Sequence, residues 1–279
     1  MLTDAIAAEG YKFRRNHSVL FWGFAFVPLA VLVFNLTLET YLGLHNSGVV
    51  AVGGRAGEIP LGEQVLHGIG LAGSSFAQIF FVAGAAAIFA GEYRWETWRL
   101  LTPRNSRINL LAAKFAVYAM ACAASLAGLG LGALLQTVYG AVLNGMTMAM
   151  PPAAFGGQLL GLFLATWAEL LVVGVFTAAI AVAGRAMTGA LLAGIFFSFA
   201  QGIAIAIVHP WEAPLRYFAM LPAMCAYLLR AWASGQQIAP GVFADPALLL
   251  PASGFLLLWI AAGGAVAAAL FQAQDLPRE

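Results

Sequence analysis

By length alone, 279 residues would make one or two soluble domains, but the composition excludes that: 62% of residues are apolar and 9% charged, against about a quarter charged in a soluble domain. A net charge of +1 gives no pull toward nucleic acid or an acidic partner. Most of the chain must face hydrocarbon, and one all-α membrane domain over residues 1–279 is expected.

The N-terminal residues 1–17 read as a cytoplasmic amphipathic segment. Leu2, Ala5, Ile6 and Phe13 form an apolar stripe at helical spacing, leaving Asp4, Glu9, Lys12, Arg14 and Arg15 for the polar side. The uncharged run that follows, Asn16 to Leu38, is longer than a signal-peptide core of about 7–15 residues, so it is expected to stay as an anchor.

A helix crosses about 30 Å of hydrocarbon in roughly 20 residues. Six stretches meet that requirement, at about 19–38, 68–91, 110–139, 158–183, 190–208 and 248–271. Phe115 to Ala168 holds no Asp, Glu, Lys or Arg. It is long enough for more than one span, and the turn formers Asn144-Gly145, Pro151-Pro152 and Gly156-Gly157 divide it. Leu215 to Ala233 is largely apolar but interrupted by Arg216, Pro222 and Arg230, with 13 residues between the two arginines. That length suits a re-entrant or interfacial segment between spans five and six. Its aromatic residues, with Trp211 before it, suit the outer leaflet.

Lysine and arginine placement sets the expected orientation. With the N-terminus inside, ten of the thirteen basic residues fall on the cytoplasmic side, leaving Arg55, Arg216 and Arg230 outside. Both termini are then cytoplasmic, in a plasma (inner) membrane protein.

The only long cytoplasmic segment, 92–107, concentrates arginine and indole in a charge-poor chain. Read as a helix from Glu92, it sets Trp95 and Trp98 on one side. Pro103 stops it, and Asn105 or Ser106 can cap the next helix. An interfacial aromatic belt with inside-positive arginines and a docking element for a cytoplasmic partner both fit that pattern. Glu92, Tyr93, Thr97, Leu100-Leu101, Pro103, Arg107 and Lys114 resemble the signature after the second span in type-2 ATP-binding-cassette (ABC) exporter permeases, with Glu96 where that family usually has Gly. The layout resembles that family over nearly the whole chain; the residue-level motif covers 92–114.

The resemblance implies a permease subunit of an ATP-driven ABC transporter, an exporter working as a dimer with a second permease copy or paralogue and two copies of a separate ATPase subunit. Glu92, Tyr93, Trp95, Thr97, Trp98, Arg99, Pro103, Arg107 and Lys114 would then couple it to that ATPase. The chain has no G-x-x-x-x-G-K-[ST] phosphate loop. No catalytic, cofactor or metal site is expected in it, and ATP with Mg would bind the partner.

Glu169 is the one acid deep in a span, where a charge costs about 2.5–3.5 kcal/mol on insertion scales. It marks either a structural polar contact or the translocation path, with Gln136 and Gln201 as candidate hydrogen-bond partners. Lys114 can reach the cytoplasmic surface or pair with Glu92. Gly128-x-x-x-Gly132 and Gly174 with Ala178 suit close helix packing, within the subunit or at a dimer seam. Cys122 and Cys225 read as apolar fillers and the four histidines as surface or interfacial residues. A stand-alone secondary transporter driven through Glu169 and a non-transporting membrane assembly factor are the competing functions.

Overall fold

The computed structural model describes residues 2–45, 57–95, 106–208 and 215–274. Among them, six helices are long and apolar enough to cross a membrane: His17–Gly43, Ser75–Tyr93, Arg107–Asn144, Phe155–Gly184, Met187–Val208 and Pro246–Ala273. They agree with the expected spans except in the second. The chain is an all-α membrane protein; among the described residues the strands form two short two-stranded pairings.

In chain order the helices are α1 (Leu2–Arg15), α2 (His17–Leu20), α3 (Phe26–His45), α4 (Leu61–Gly70), α5 (Ser75–Trp95), α6 (Arg107–Asn144), α7 (Phe155–Gly184), α8 (Met187–Val208), α9 (Leu215–Met220), α10 (Pro222–Ser234) and α11 (Leu249–Ala273). Strand β1 (Glu58–Pro60) pairs in parallel with β2 (Thr147–Ala149), tying the entry to α4 to the exit of α6. Strands β3 (Gln237–Ala239) and β4 (Val242–Phe243) form a small hairpin before α11. Helices α5, α6 and α7 are the most buried of the six, while α3, α8 and α11 expose most of their surface. Helix α7 packs on α4, α5, α8, α10 and α11, and α6 packs on α1, α3 and α4.

The helix ends follow local sequence. Ser106 caps α6 by accepting from the Asn109 N–H at 3.2 Å, and Gly145, at φ 62°, closes its far end. Inside the first span a π-helical stretch at Phe21–Ala25 joins α2 to α3. Pro28 explains it. Lacking an N–H, it cannot bond the Phe24 carbonyl four residues back, and Ser125 on α6 donates to that carbonyl instead, at 2.7 Å.

The expected second span, 68–91, is corrected. Helix α4 ends at Gly70, a 3-10 turn covers Leu71–Gly73, and α5 starts at Ser75. Gly68, Gly70 and Gly73 weaken a continuous helix, and Ser74 caps the new one by accepting from the Ala77 N–H at 3.3 Å. The expected fresh helix from Glu92 is also corrected: α5 continues through Trp95. Residues 96–105, with Thr97, Trp98, Arg99 and Pro103, lie outside the described residues.

The segment between the fifth and sixth spans forms two helices, α9 and α10, split at Leu221-Pro222. Met224, Cys225, Ala226 and Leu228 on α10 are fully buried. Trp259, ten residues into α11, donates to the Ala219 carbonyl at 2.8 Å, which puts the α9–α10 break about 15 Å along α11 from its start.

Small residues set the closest approaches. A Cβ on Gly174 would lie 2.2 Å from the ring of buried Tyr118, and one on Gly23 would lie 2.8 Å from the Gly84 Cα. Gly128 and Gly132 face Pro28 and Leu32 of α3, so this G-x-x-x-G packs within the chain. Because the Gly23–Gly84 contact is backbone against backbone, Gly23→Leu has nowhere to relax. It is expected to destabilise the protein by about 3 kcal/mol, the upper end for overpacking. Unfolding in mixed micelles measures this, and an unchanged midpoint would show that the two helices do not meet there.

Candidate functional site

Two buried polar clusters interrupt the apolar bundle. The first sits where α1, α5 and α6 meet. Lys114, 2% exposed, donates to Glu9 Oε2 at 3.0 Å, to Glu92 Oε2 at 2.6 Å and to the Ile88 carbonyl at 2.9 Å. Lys12 joins from the rim, 2.7 Å from Glu9 and 2.5 Å from Glu92. Two carboxylates thus meet two ammonium groups, the condition for keeping charges under low-dielectric cover. Burial opposes the charge on Lys12, but the pull of Glu92 and the bonds to Glu9 outweigh it and raise its pKa above 10.5. Its contribution to stability is therefore complete below that value and is lost only as pH rises through the higher folded value.

Of the two routes open to Lys114, the structure takes the pairing with Glu92. Glu9 is a correction: assigned to the polar side of α1, it lies with Ala5 on the buried side. The apolar stripe holds at Phe13, whose ring meets Phe24 edge-on at 5.4 Å.

Tyr93 and Arg107 act at the same end of the bundle. Arg107 donates through Nη1 to the carbonyls of Phe271, Gln272 and Gln274 at 3.0, 3.0 and 2.7 Å. These carbonyls have no acceptor role left inside α11, and a cation suits a helix C-terminus. Tyr93 donates to Gln274 Oε1 at 3.0 Å, and Gln274 donates to the Val182 carbonyl at 2.5 Å. The residues flanking 96–105 are therefore fastened to α1, α6, α7 and α11. Trp95 ends α5, and nothing further is assigned to it.

The second cluster lies at mid-depth. Glu169 is fourteen residues from Phe155 and fifteen from Gly184, about 21 and 22 Å along α7. One of its oxygens pairs with Arg230 of α10, and the other accepts from Gln78 Nε2 at 3.1 Å. Gln78 also donates to the Gly73 carbonyl at 3.3 Å and accepts from the Ser198 hydroxyl of α8. Ser75 donates to the Ser198 carbonyl at 3.2 Å.

This corrects the expected partners of Glu169. Gln136 makes no hydrogen bond to it, and Gln201 instead accepts from the Ala223 N–H at 3.3 Å, at the first turn of α10. Arg230, placed outside by charge counting, is inside the bundle. The pairing is geometric: a Cβ on Gly73 would lie 2.2 Å from Arg230 Nη1, so only the glycine at the α4–α5 break admits the guanidinium.

Sequence reasoning missed Gln78, Ser198 and Arg230 as partners. The usable signal was Arg230 itself, a lone cation in an apolar stretch, in a chain whose one mid-span acid needs a counter-charge.

No known protein-family model matches this chain, and no well-characterised protein is similar to it in sequence. Among the described residues, no group of three or more His, Cys, Asp or Glu side chains could hold a metal ion.

Breaking either cluster strands a buried charge, at about 3–5 kcal/mol. Lys114→Met and Glu169→Ala are each expected to lower the unfolding free energy by that amount. The paired Glu169→Gln, Arg230→Gln replacement is expected to recover most of the second loss. Equal losses in single and double variants would show that Glu169 and Arg230 are not coupled.

Proposed function

We propose that this chain is the permease subunit of an ATP-driven ABC transporter, an exporter that works as a dimer with a second permease copy or paralogue and draws power from two copies of a separate ATPase subunit. The observation that carries the reading is the four-residue cluster joining α1 to both flanks of the segment 92–107. Glu92 lies on the α5 side of that segment, Lys114 on the α6 side, and Glu9 with Lys12 on α1. A force applied to 92–107 is therefore passed to α1, α5 and α6 together, and through Arg107 and Tyr93 to the end of α11. Such linkage suits a lever driven from outside the bundle.

In this reading α1 lies at the cytoplasmic surface of the plasma (inner) membrane, and both termini are cytoplasmic. The α9–α10 pair is re-entrant from the outer face. With Arg230 inside the bundle, the basic residues divide ten to two in favour of the cytoplasm. ATP and Mg bind the partner, and the chain is not itself an enzyme. The coupling contacts in this reading are Trp98 and Arg99 with Thr97 and Pro103, whereas Glu92 and Lys114 hold the lever's base.

One observation favours a second reading, a secondary transporter worked through Glu169. A buried ion pair beside two broken helices at mid-depth is the arrangement from which such proteins build ion and substrate sites. Transport that persists without ATP but collapses with the proton gradient would select it.

Extraction in mild detergent is expected to bring down an ATP-binding protein with this chain. Arg99→Glu is expected to cut transport-coupled ATP hydrolysis by about tenfold, the loss of one interfacial contact worth about 1.4 kcal/mol, without changing the amount of inserted protein. Glu92→Lys is expected to fail earlier, in folding, because it sets a third cation against Lys12 and Lys114. Export by Arg99→Glu at the parental rate, with no ATP-binding protein recovered, would overturn the permease assignment.

A further inference from the structure

The α4–α5 break, α7 and α10 enclose a cavity of about 330 Å³, within the lower range for small-molecule sites. It lies toward the end of the bundle opposite α1 and the α11 terminus. Its wall carries His67, Ser74, Tyr227, Arg230, Ser234 and Gln237, and among the described residues no carboxylate lines it. Arg230 lies at the depth of Glu169, whereas His67, four residues before Leu71, is exposed.

The state of Arg230 is what gives the cavity a chemistry. A guanidinium carries five N–H donors in a planar fork. Among the described residues only Nη1 is engaged, on one oxygen of Glu169, and Glu169's other oxygen is taken by Gln78. The acid is thus compensated, while donors of the Arg230 fork remain for the cavity that the residue lines. On α7, Thr166 lies on the same face between Leu162, which lines the cavity, and Glu169. Its hydroxyl is buried and has no partner among the described residues. The Arg230 donors left over by Glu169, set in a polar wall whose lining holds no acid of its own, suit a negatively charged oxygen group.

We propose that this cavity is a binding site for a small molecule or headgroup bearing an oxyanion, a carboxylate or phosphate, held on the open edge of the Arg230 guanidinium with His67 at the mouth. The oxyanion binds beside the Glu169–Arg230 pair and turns the guanidinium from a one-sided to a two-sided contact. Gly73 is the residue that makes room, because any side chain there would displace the guanidinium. The site lies within one chain, so it does not depend on a partner ATPase, and its test succeeds or fails separately from the transporter assignment.

The test uses the full chain in phosphatidylcholine nanodiscs, reading the thermal unfolding midpoint by tryptophan fluorescence against inorganic phosphate, and separately against added phosphatidylglycerol. Ligand that binds only the folded state raises the midpoint saturably. A rise with phosphate identifies a free anion, and a rise with phosphatidylglycerol alone identifies a lipid headgroup; either supports the site. The double variant Glu169→Gln, Arg230→Gln removes the cation without stranding a charge and is expected to weaken binding at least tenfold. His67→Gln, at an exposed position that leaves the fold intact, is expected to weaken it about threefold. No saturable rise with either probe, or an unchanged affinity in both variants, overturns the proposal.

Discussion

The structure depends on a single constraint: inside hydrocarbon, a backbone group released from its helix must find another partner within the protein. Among the described residues three helix interruptions stand out, and each is closed by polar side chains, some from a neighbouring helix and some from the helix that restarts. At Pro28 the freed Phe24 carbonyl is taken by Ser125. At the α4–α5 break, Gln78 takes the Gly73 carbonyl and Ser74 the Ala77 N–H. At Leu221-Pro222, Cys225 donates to the Phe218 carbonyl, Trp259 to that of Ala219, and Gln201 accepts from Ala223. A cysteine that reads as filler is a donor, and a glutamine that reads as a partner for an acid is a cap.

The same constraint explains where the charges went. Neither Glu169 nor Arg230 could stay inside the bundle alone. Each is tolerated because the other is within reach and because Gln78 and Ser198 take up the remaining polar capacity of the site. Where α1, α5 and α6 meet, Glu9, Lys12, Glu92 and Lys114 cancel in two signs, with Lys114 nearly sealed from solvent. The consequences differ. The Glu169–Arg230 cluster fixes a broken helix and a split helix at mid-depth beside a polar cavity. The Glu9–Lys12–Glu92–Lys114 cluster welds the N-terminal helix to the base of the 92–107 segment, and that weld is what the proposed lever mechanism rests on.

Particular residues show how far local pattern could be followed. The six spans were legible because 20 apolar residues in a row have only one inexpensive destination. Their ends were legible at Ser106 and Gly145, where cap chemistry is local. The second span was misjudged because glycines at 68, 70 and 73 are tolerated in membrane helices. Nothing local distinguishes a tolerated glycine from one that must leave space for Arg230. Glu9 was assigned to the polar side because a charged residue normally faces water. Its burial depends on Lys114, 105 positions away.

The amino-acid order alone determined the six apolar stretches long enough to cross a membrane and where the charge-bearing segment lies between the second and third. These follow from composition and spacing, properties carried by neighbouring residues. Tertiary structure decided which polar residues meet: Lys114 with Glu9 and Glu92, Glu169 with Arg230 and Gln78, Arg107 with the end of α11. The reason is that a buried charge has no preferred partner in sequence. It takes whichever opposite charge the packing of apolar helices brings within about 3 Å, and small residues such as Gly73 and Gly174 set that packing.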